Sequence, residues 1–262
     1  MNLQVLVSTM EQSDYSLLDK MNIQSDAVII NQCKKNQIEE FDYKGHRINY
    51  LSFSERGVGL SRNNALMRAT ADICLMADDD MIYKDNYTDI VINAFKENPK
   101  ADIIMFNVPI HKENGDTIVK VKKNERVRFY NSLRYGTVNI AFKKDSIIKK
   151  DVFFSLLFGG GARYGSGEDS LFIINSLKKG LKIYSCTEVI AEINDNGSTW
   201  FEGYNKKYFF DRGALFQAIG GTPLSFLLMI QFLLRKRGLY ADRLNTKVAL
   251  KEMISGRSDF LK

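Results

Sequence analysis

Short apolar runs alternate with amphipathic stretches through the first hundred positions. Gln4–Ser8 (QVLVS), Ala27–Asn31 (AVIIN), Arg47–Phe53 (RINYLSF), Ile73–Ala77 (ICLMA) and Ile103–Val108 (IIMFNV) read as strands. Between them, Tyr15–Met21, Leu60–Ala69 and Tyr87–Asn98 have helical spacing, the last stopped by Pro99. Strands that are apolar at nearly every position have no solvent face. Repeated strand–helix units of this kind predict an α/β fold with a mostly parallel sheet covered on both sides. After Pro109 the rhythm changes to turns and short strands. Phe158–Ser170 (FGGGARYGSGEDS) is a glycine-rich loop that leads into a helix over Ser170–Lys179. Residues 1–200 read as one domain, with a helical segment over 201–262.

That last segment has its own pattern. Ala214–Leu234 contains no charged residue, and Gly220-Gly221-Thr222-Pro223 interrupts it. The second piece, Leu224–Leu234, has eleven residues, too few to span a bilayer as a helix. Arg235-Lys236-Arg237 follows at once. Two readings fit: a core helix whose basic end suits the helix dipole, or a helix in a membrane interface with its cations on anionic headgroups.

Charge sharpens the second reading. The net charge is +6, and residues 201–262 hold all of that excess, with 11 basic and 5 acidic side chains. An anionic partner is implied: a membrane surface, a nucleic acid or a phosphorylated acceptor. The neutral body argues against nucleic acid, which calls for a basic face on the main fold. Three scattered cysteines without ligand spacing fit a reducing, cytoplasmic location, at most peripheral on the inner face of the cell membrane. The N-terminus lacks a basic region followed by a long apolar stretch, so it reads as a first strand and not as a signal peptide.

Three clusters carry candidate chemistry. In Cys74–Met81 (CLMADDDM) an apolar strand ends in three aspartates. Asp78 and Asp80 share a side of an extended chain. Adjacent like charges are costly without a cation among them, and hard oxygen ligands favour Mg²⁺ or Mn²⁺. The carboxyl edge of a parallel sheet is also where α/β proteins bind ligands. Upstream, Glu55–Leu66 (ERGVGLSRNNAL) pairs glycines with a helix start that could face an anion, and Arg62 lies one turn in. Downstream, Gly165-Ser166-Gly167 delivers Glu168 and Asp169 to a helix start. These acids read either as dipole partners or as a general base for an acceptor hydroxyl.

In order and spacing, these pieces resemble glycosyltransferase family 2 of the GT-A fold, in its bacterial non-processive form. The resemblance covers about residues 3–190. It implies inverting transfer of one sugar from a nucleotide diphosphate sugar to a hydroxyl of a glycan or lipid-linked glycan. By resemblance, Asp169 is the base and Glu168 orients the acceptor. Ser8 and Thr9 lie by the nucleoside, and Asn31 ends the second strand where the family commonly has an acid. Asp78, Asp79 and Asp80 match the Asp-x-Asp motif. Asp80 is the direct ligand of Mn²⁺ or Mg²⁺, and Asp78 addresses the ribose or metal-bound water. Arg62 matches the basic residue near the nucleotide. A histidine often completes the metal site; here the comparable stretch offers Asp195. Ser198–Phe201 and Phe210–Gly213 look like the region after the catalytic loop. The Gln-x-x-Arg-Trp signature of processive members is absent.

Two other functions compete. A sugar-nucleotide pyrophosphorylase would want a glycine-rich basic loop after the first strand, and Ser8–Gln12 has neither glycine nor base. A non-catalytic membrane- or anion-binding module would leave both carboxylate clusters unexplained.

Overall fold

The computed structural model describes residues 1–195 and 203–262. The chain opens with β1 (Leu3–Met10), a single helical turn α1 (Leu17–Lys20) and β2 (Asp26–Gln32), then β3 (Gln37–Tyr43), β4 (His46–Phe53), α2 (Val58–Arg68) and β5 (Ile73–Asp78). Next come β6 (Met81–Tyr83), α3 (Tyr87–Glu97), β7 (Ile103–Asn107), β8 (Ile110–Lys112), β9 (Thr117–Ile118) and β10 (Glu125–Val127). The second half holds α4 (Phe129–Ser132), β11 (Ile140–Lys143), α5 (Lys144–Lys149), α6 (Glu168–Lys178), β12 (Ile183–Val189), β13 (Ala191–Asp195), α7 (Lys206–Tyr240) and α8 (Thr246–Phe260).

Nine strands form the main sheet in the order β10-β12-β7-β11-β5-β1-β2-β4-β3. Its centre, β5-β1-β2-β4, is parallel. The alternation that defines a strand sends Val5 and Val7 into the core on one face and Leu6 into the core on the other, and Leu75 and Met76 split the same way. The doubly buried parallel sheet read from the sequence is therefore present, and the fold is GT-A-like α/β. Three strands differ from the pattern, one of them the edge strand β10, antiparallel to β12. β11 runs antiparallel between β5 and β7. β3 is an exposed antiparallel edge joined to β4 by a two-residue turn, Lys44-Gly45, with φ of 53° and 83°. Both turn residues need the left-handed region, which only glycine enters freely.

A second sheet, β6-β13-β8-β9, starts immediately after the aspartate triplet. It carries the chain from Asp80 toward the distal acids. Ile193 pairs with Met81, the residue after Asp80, in antiparallel register, and Asp195 pairs with Lys112 of β8.

The C-terminal helices have a core of their own. Phe209, Leu215, Met229, Phe232, Ala249 and Met253 are buried there, together with Phe158 and Tyr164 of the glycine-rich loop and Leu171 of α6. α7 is broken at Gly221 (φ 66°, ψ −171°), with Pro223 two residues on. The break lies in the Gly220–Pro223 segment marked by the sequence. Past it, Ser225, Met229 and Phe232 are buried, while Leu224, Leu227, Ile230 and Leu234 are exposed. The helix is core on one side and apolar surface on the other.

α7 and α8 touch through glycine. A Cβ built on Gly213 would meet the Met253 carbonyl oxygen at 1.9 Å, and one on Gly256 would meet that of Phe210 at 1.8 Å. Backbone cannot yield as a side-chain tip can. Gly213→Ala and Gly256→Ala are each expected to destabilise the chain by about 1–3 kcal/mol. Chemical denaturation reads this as a lower midpoint; an unchanged midpoint would mean the two helices are free to shift apart.

Candidate active site

The site forms where the parallel strands end. Registers β1–β5 and β1–β2 bring Ser8 beside Asp78 and Thr9 beside Asn31. Thr9 Oγ1 donates to Asp79 Oδ2 and accepts from Gln12 Nε2 at 3.0 Å. Ser61 Oγ donates to Ser8 Oγ at 3.0 Å. Asn31 is buried and fully engaged. Its Oδ1 accepts from the Gln12 N–H and its Nδ2 donates to the Gln12 carbonyl, both at 3.0 Å. Expected as a nucleotide contact, Asn31 instead holds the loop after β1 in shape.

Arg62 joins the two acidic clusters. It is 4% exposed. Its two terminal nitrogens donate to Asp78 Oδ1 at 2.7 Å and to Glu168 Oε1 at 2.6 Å. Residues 106 positions apart in sequence thus share one guanidinium. Arg62 was expected to reach a diphosphate; both of its forks are taken by carboxylates, and its buried Nε has no partner. The placement makes it a clamp between the two acidic clusters. Burial pushes the guanidinium toward losing its proton, but Asp78 and Glu168 outweigh burial and hold it above its ordinary value. Burial and then the neighbouring Asp169 push the Glu168 carboxyl up, and Arg62 pulls against them.

The Arg-Asn-Asn run in α2 uses all three side chains. Asn63 Nδ2 donates to the Phe154 carbonyl at 2.9 Å, and its Oδ1 accepts from the Phe154 N–H at 2.8 Å. Asn64 Nδ2 donates to Glu55 Oε1 at 2.6 Å. The Phe154 ring lies under the Arg62 guanidinium at 5.5 Å and stacks on Phe172 of α6 at 4.2 Å. The start of α2 is covered as well. The Val58 N–H donates to the Gly160 carbonyl at 3.0 Å, and a Cβ on Gly59 would meet the Ser155 oxygen at 2.2 Å. The glycines here serve close backbone packing, and the first N–H of α2 is spent on the loop instead of facing an anion.

α6 starts at Glu168, two residues earlier than its sequence pattern predicts. Both acids therefore lie in its first turn, where the helix dipole favours negative charge. Gly167 (φ 120°) precedes them, tight against Leu215 of α7. Asp169 Oδ2 lies 3.4 Å from where a Cβ on Gly136 would sit, and Lys120 Nζ lies 3.2 Å from the same point. Lys120 is therefore a cation beside Asp169 that sequence reasoning missed. No motif surrounds it, and only the fold brings it there.

The C-terminal helices hold this loop. Asp211 Oδ2 accepts from the Gly165 N–H at 2.9 Å, and Lys207 closes the same carboxylate. Asp259 of α8 accepts from Arg163 at 2.8 Å and from the Tyr164 hydroxyl at 2.9 Å.

Asp80 is exposed at the end of β5. Among the described residues, no three His, Cys, Asp or Glu side chains group into a metal cage. Asp78 is paired with Arg62, and only the backbone of Asp195 is described. The donor set fits a hard cation shared between one or two carboxylates and the oxygens of a bound ligand, the habit of Mg²⁺. Ser198–Phe201 lies outside the described residues. Cys74 is buried and its thiol is pushed up to about 12, chiefly by burial, which makes it inert.

Paired acids thus stand at the carboxyl edge of an α/β sheet, with a second small sheet beside them. The glycosyl transferase family 2 model matches residues 16–153, just over half of the chain, and the chain belongs to that family. Among solved structures it is similar to residues 1–349 of S. aureus TarS in complex with UDP-GlcNAc, with TM-score 0.70 and 15% identity over 100% of this chain and 81% of that one. The same fragment with UDP gives 0.66 and 14%, over 98% and 81%. S. aureus TarS itself gives 0.67 and 15%, over 100% of this chain and 49% of that one. At such identity the likeness is one of fold. No curated protein matches the chain by sequence.

Proposed function

We propose that the protein transfers a single sugar from a nucleotide diphosphate sugar to an acceptor hydroxyl with inversion. The observation that supports this is the Arg62 bridge, which ties Asp78 of the aspartate triplet to Glu168, the neighbour of Asp169. Single displacement needs a base on the face of the sugar opposite the leaving group, and no enzyme nucleophile. The acceptor oxygen bonds to the anomeric carbon as that carbon's bond to the diphosphate oxygen breaks. Asp169 takes the hydroxyl proton, and the nucleoside diphosphate leaves with the bonding electrons. Glu168 acts through Arg62, fixing the first turn of α6 and so the direction of Asp169. Ser8, Thr9 and Asp79 shape the nucleoside end. The UDP-GlcNAc seen in TarS supports a uridine diphosphate sugar as donor.

Asp80, with Asp78 and Asp195 nearby, would hold Mn²⁺ or Mg²⁺, which when bound supplies charge against the leaving diphosphate. The acceptor is read as a glycan or lipid-linked glycan, met at the cytoplasmic face of the membrane. A thermal-shift panel of nucleoside diphosphates with and without Mn²⁺ tests the donor and the cation together. One nucleotide is expected to raise the melting temperature only with Mn²⁺. Asp80→Ala is expected to melt at the wild-type temperature and lose that response. A variant that responds like wild type would move the cation elsewhere.

A further inference from the structure

The two halves of α7 lie against each other. Phe209 of the first half packs on Phe232 and Tyr240 of the second, and Phe216 also packs on Phe232, so the chain doubles back at the Gly221 break. By length and hydropathy alone α7 could cross a bilayer. Its first half is core, however, and only the stretch after the break has a broad exposed face. That stretch is held in one rotation. Ser225 Oγ donates to Gln217 Oε1 at 3.0 Å and accepts from Arg257 Nε at 3.1 Å, and the Tyr240 hydroxyl donates to the Leu233 carbonyl at 3.1 Å. With Ser225, Met229, Phe232 and Leu233 turned inward, Leu227, Ile230 and Leu234 form an i, i+3, i+7 row on the outside. Leu227 is 65% exposed and Leu234 71%, where an ordinary surface helix shows polar side chains. Leu224 widens the row on one side and Phe226 on the other, both exposed. Single exposed leucines are ordinary, but a contiguous apolar helix face marks a contact surface.

Charge decides what the surface meets. Arg235 lies three turns beyond Leu224 on one edge of the row, and Arg237 lies three turns beyond Phe226 on the other. Neither has an ion-pair partner among the described residues. At the opposite end, Arg257 of α8 lies over the Phe226 ring at 4.5 Å. After Asp211, α7 carries no acid. A second copy would meet this face with the same face and so bring cations without acids. A bilayer with anionic headgroups offers hydrocarbon to the row and phosphates to both of its edges. From Leu224 to Leu234 the row runs about 15 Å, roughly half of a hydrocarbon core, so the helix would lie in the membrane plane and not cross it.

We propose that the second half of α7 seats the protein on an anionic membrane surface, with Leu227, Ile230 and Leu234 in the acyl boundary and Arg235 and Arg237 on headgroup phosphates. The docking needs no nucleotide and stands whether or not Asp169 is a base.

Sedimentation of the full chain with lipid vesicles tests it. Phosphatidylcholine vesicles containing phosphatidylglycerol are expected to bind the chain at least ~10-fold more tightly than pure phosphatidylcholine, and salt should erase the difference. Leu227→Ser with Leu234→Ser is expected to weaken binding to the mixed vesicles by at least ~10-fold at an unchanged melting temperature. Ile230→Gln gives a smaller loss and serves if the double variant melts early. Arg235→Gln with Arg237→Gln is expected to remove the preference for phosphatidylglycerol. Leu227→Trp should shift its emission to the blue on the mixed vesicles, which adsorption by charge alone would not do. Equal binding to both vesicles, or equal binding of wild type and the leucine variant, overturns the proposal. So does a lipid-free dimer in sedimentation velocity that the leucine variant dissolves. Vesicle binding by a chain that answers to no nucleoside diphosphate would remove the donor reading and leave this surface standing.

Discussion

Asp169→Asn is expected to lower sugar transfer by about 10²–10⁴-fold, the usual share of a positioned general base. The amide keeps the size and the hydrogen bond to the Ser170 N–H, made at 2.6 Å by Oδ1. It loses only the ability to take a proton. Donor affinity and melting temperature should therefore stay at wild-type values, and the defect should fall on kcat. Steady-state kinetics with a titration of the nucleotide separates these quantities. Turnover close to wild type would move the base to another group, and Glu168 would be the next candidate, although Arg62 already occupies it.

Arg62→Met is expected to be the most damaging substitution for stability. It leaves Glu168 and Asp78 facing each other without a cation, one of them largely buried. Breaking a buried ion pair from one side costs about 3–5 kcal/mol. The pH dependence has a definite sign. Glu168 already holds its proton more tightly in the folded chain than in the unfolded one, through burial and Asp169. Without Arg62 only a backbone N–H opposes that shift. The folded variant then binds more protons than the unfolded chain, so its stability rises as the pH falls from neutral toward the ordinary glutamate range. Chemical denaturation across that window should show the deficit largest at neutral pH and shrinking with acid. A deficit independent of pH would mean that lost packing on Phe154, and not charge, sets the cost.

Much of the fold could be read from periodicity, because the central parallel strands are apolar on both faces. Those strands stand within a residue or two of their expected limits. β3 escaped because QIEEFDY is an exposed edge whose acids read as loop. The small second sheet escaped because its strands are two to five residues long and gain their identity from pairing. In the site, the acids were legible as clusters behind apolar runs and glycines. Their partners were not. Arg62 looked like a ligand for phosphate because sequence shows a guanidinium near a glycine turn, but not which carboxylate folds back onto it. Asn31 was half legible for the same reason: strand position gave its place, while its bonds to Gln12 depend on the path of a loop. Lys120 has no local pattern at all.

The anchoring of the glycine-rich loop by Asp259 has a consequence for biosynthesis. Arg163 and its carboxylate partner are 96 positions apart. The ribosome therefore completes the acid-bearing turn long before it makes the side chain that pins it. The strands β1, β2, β4 and β5 are early sequence and can pair first, whereas the loop gains this anchor only once α8 docks.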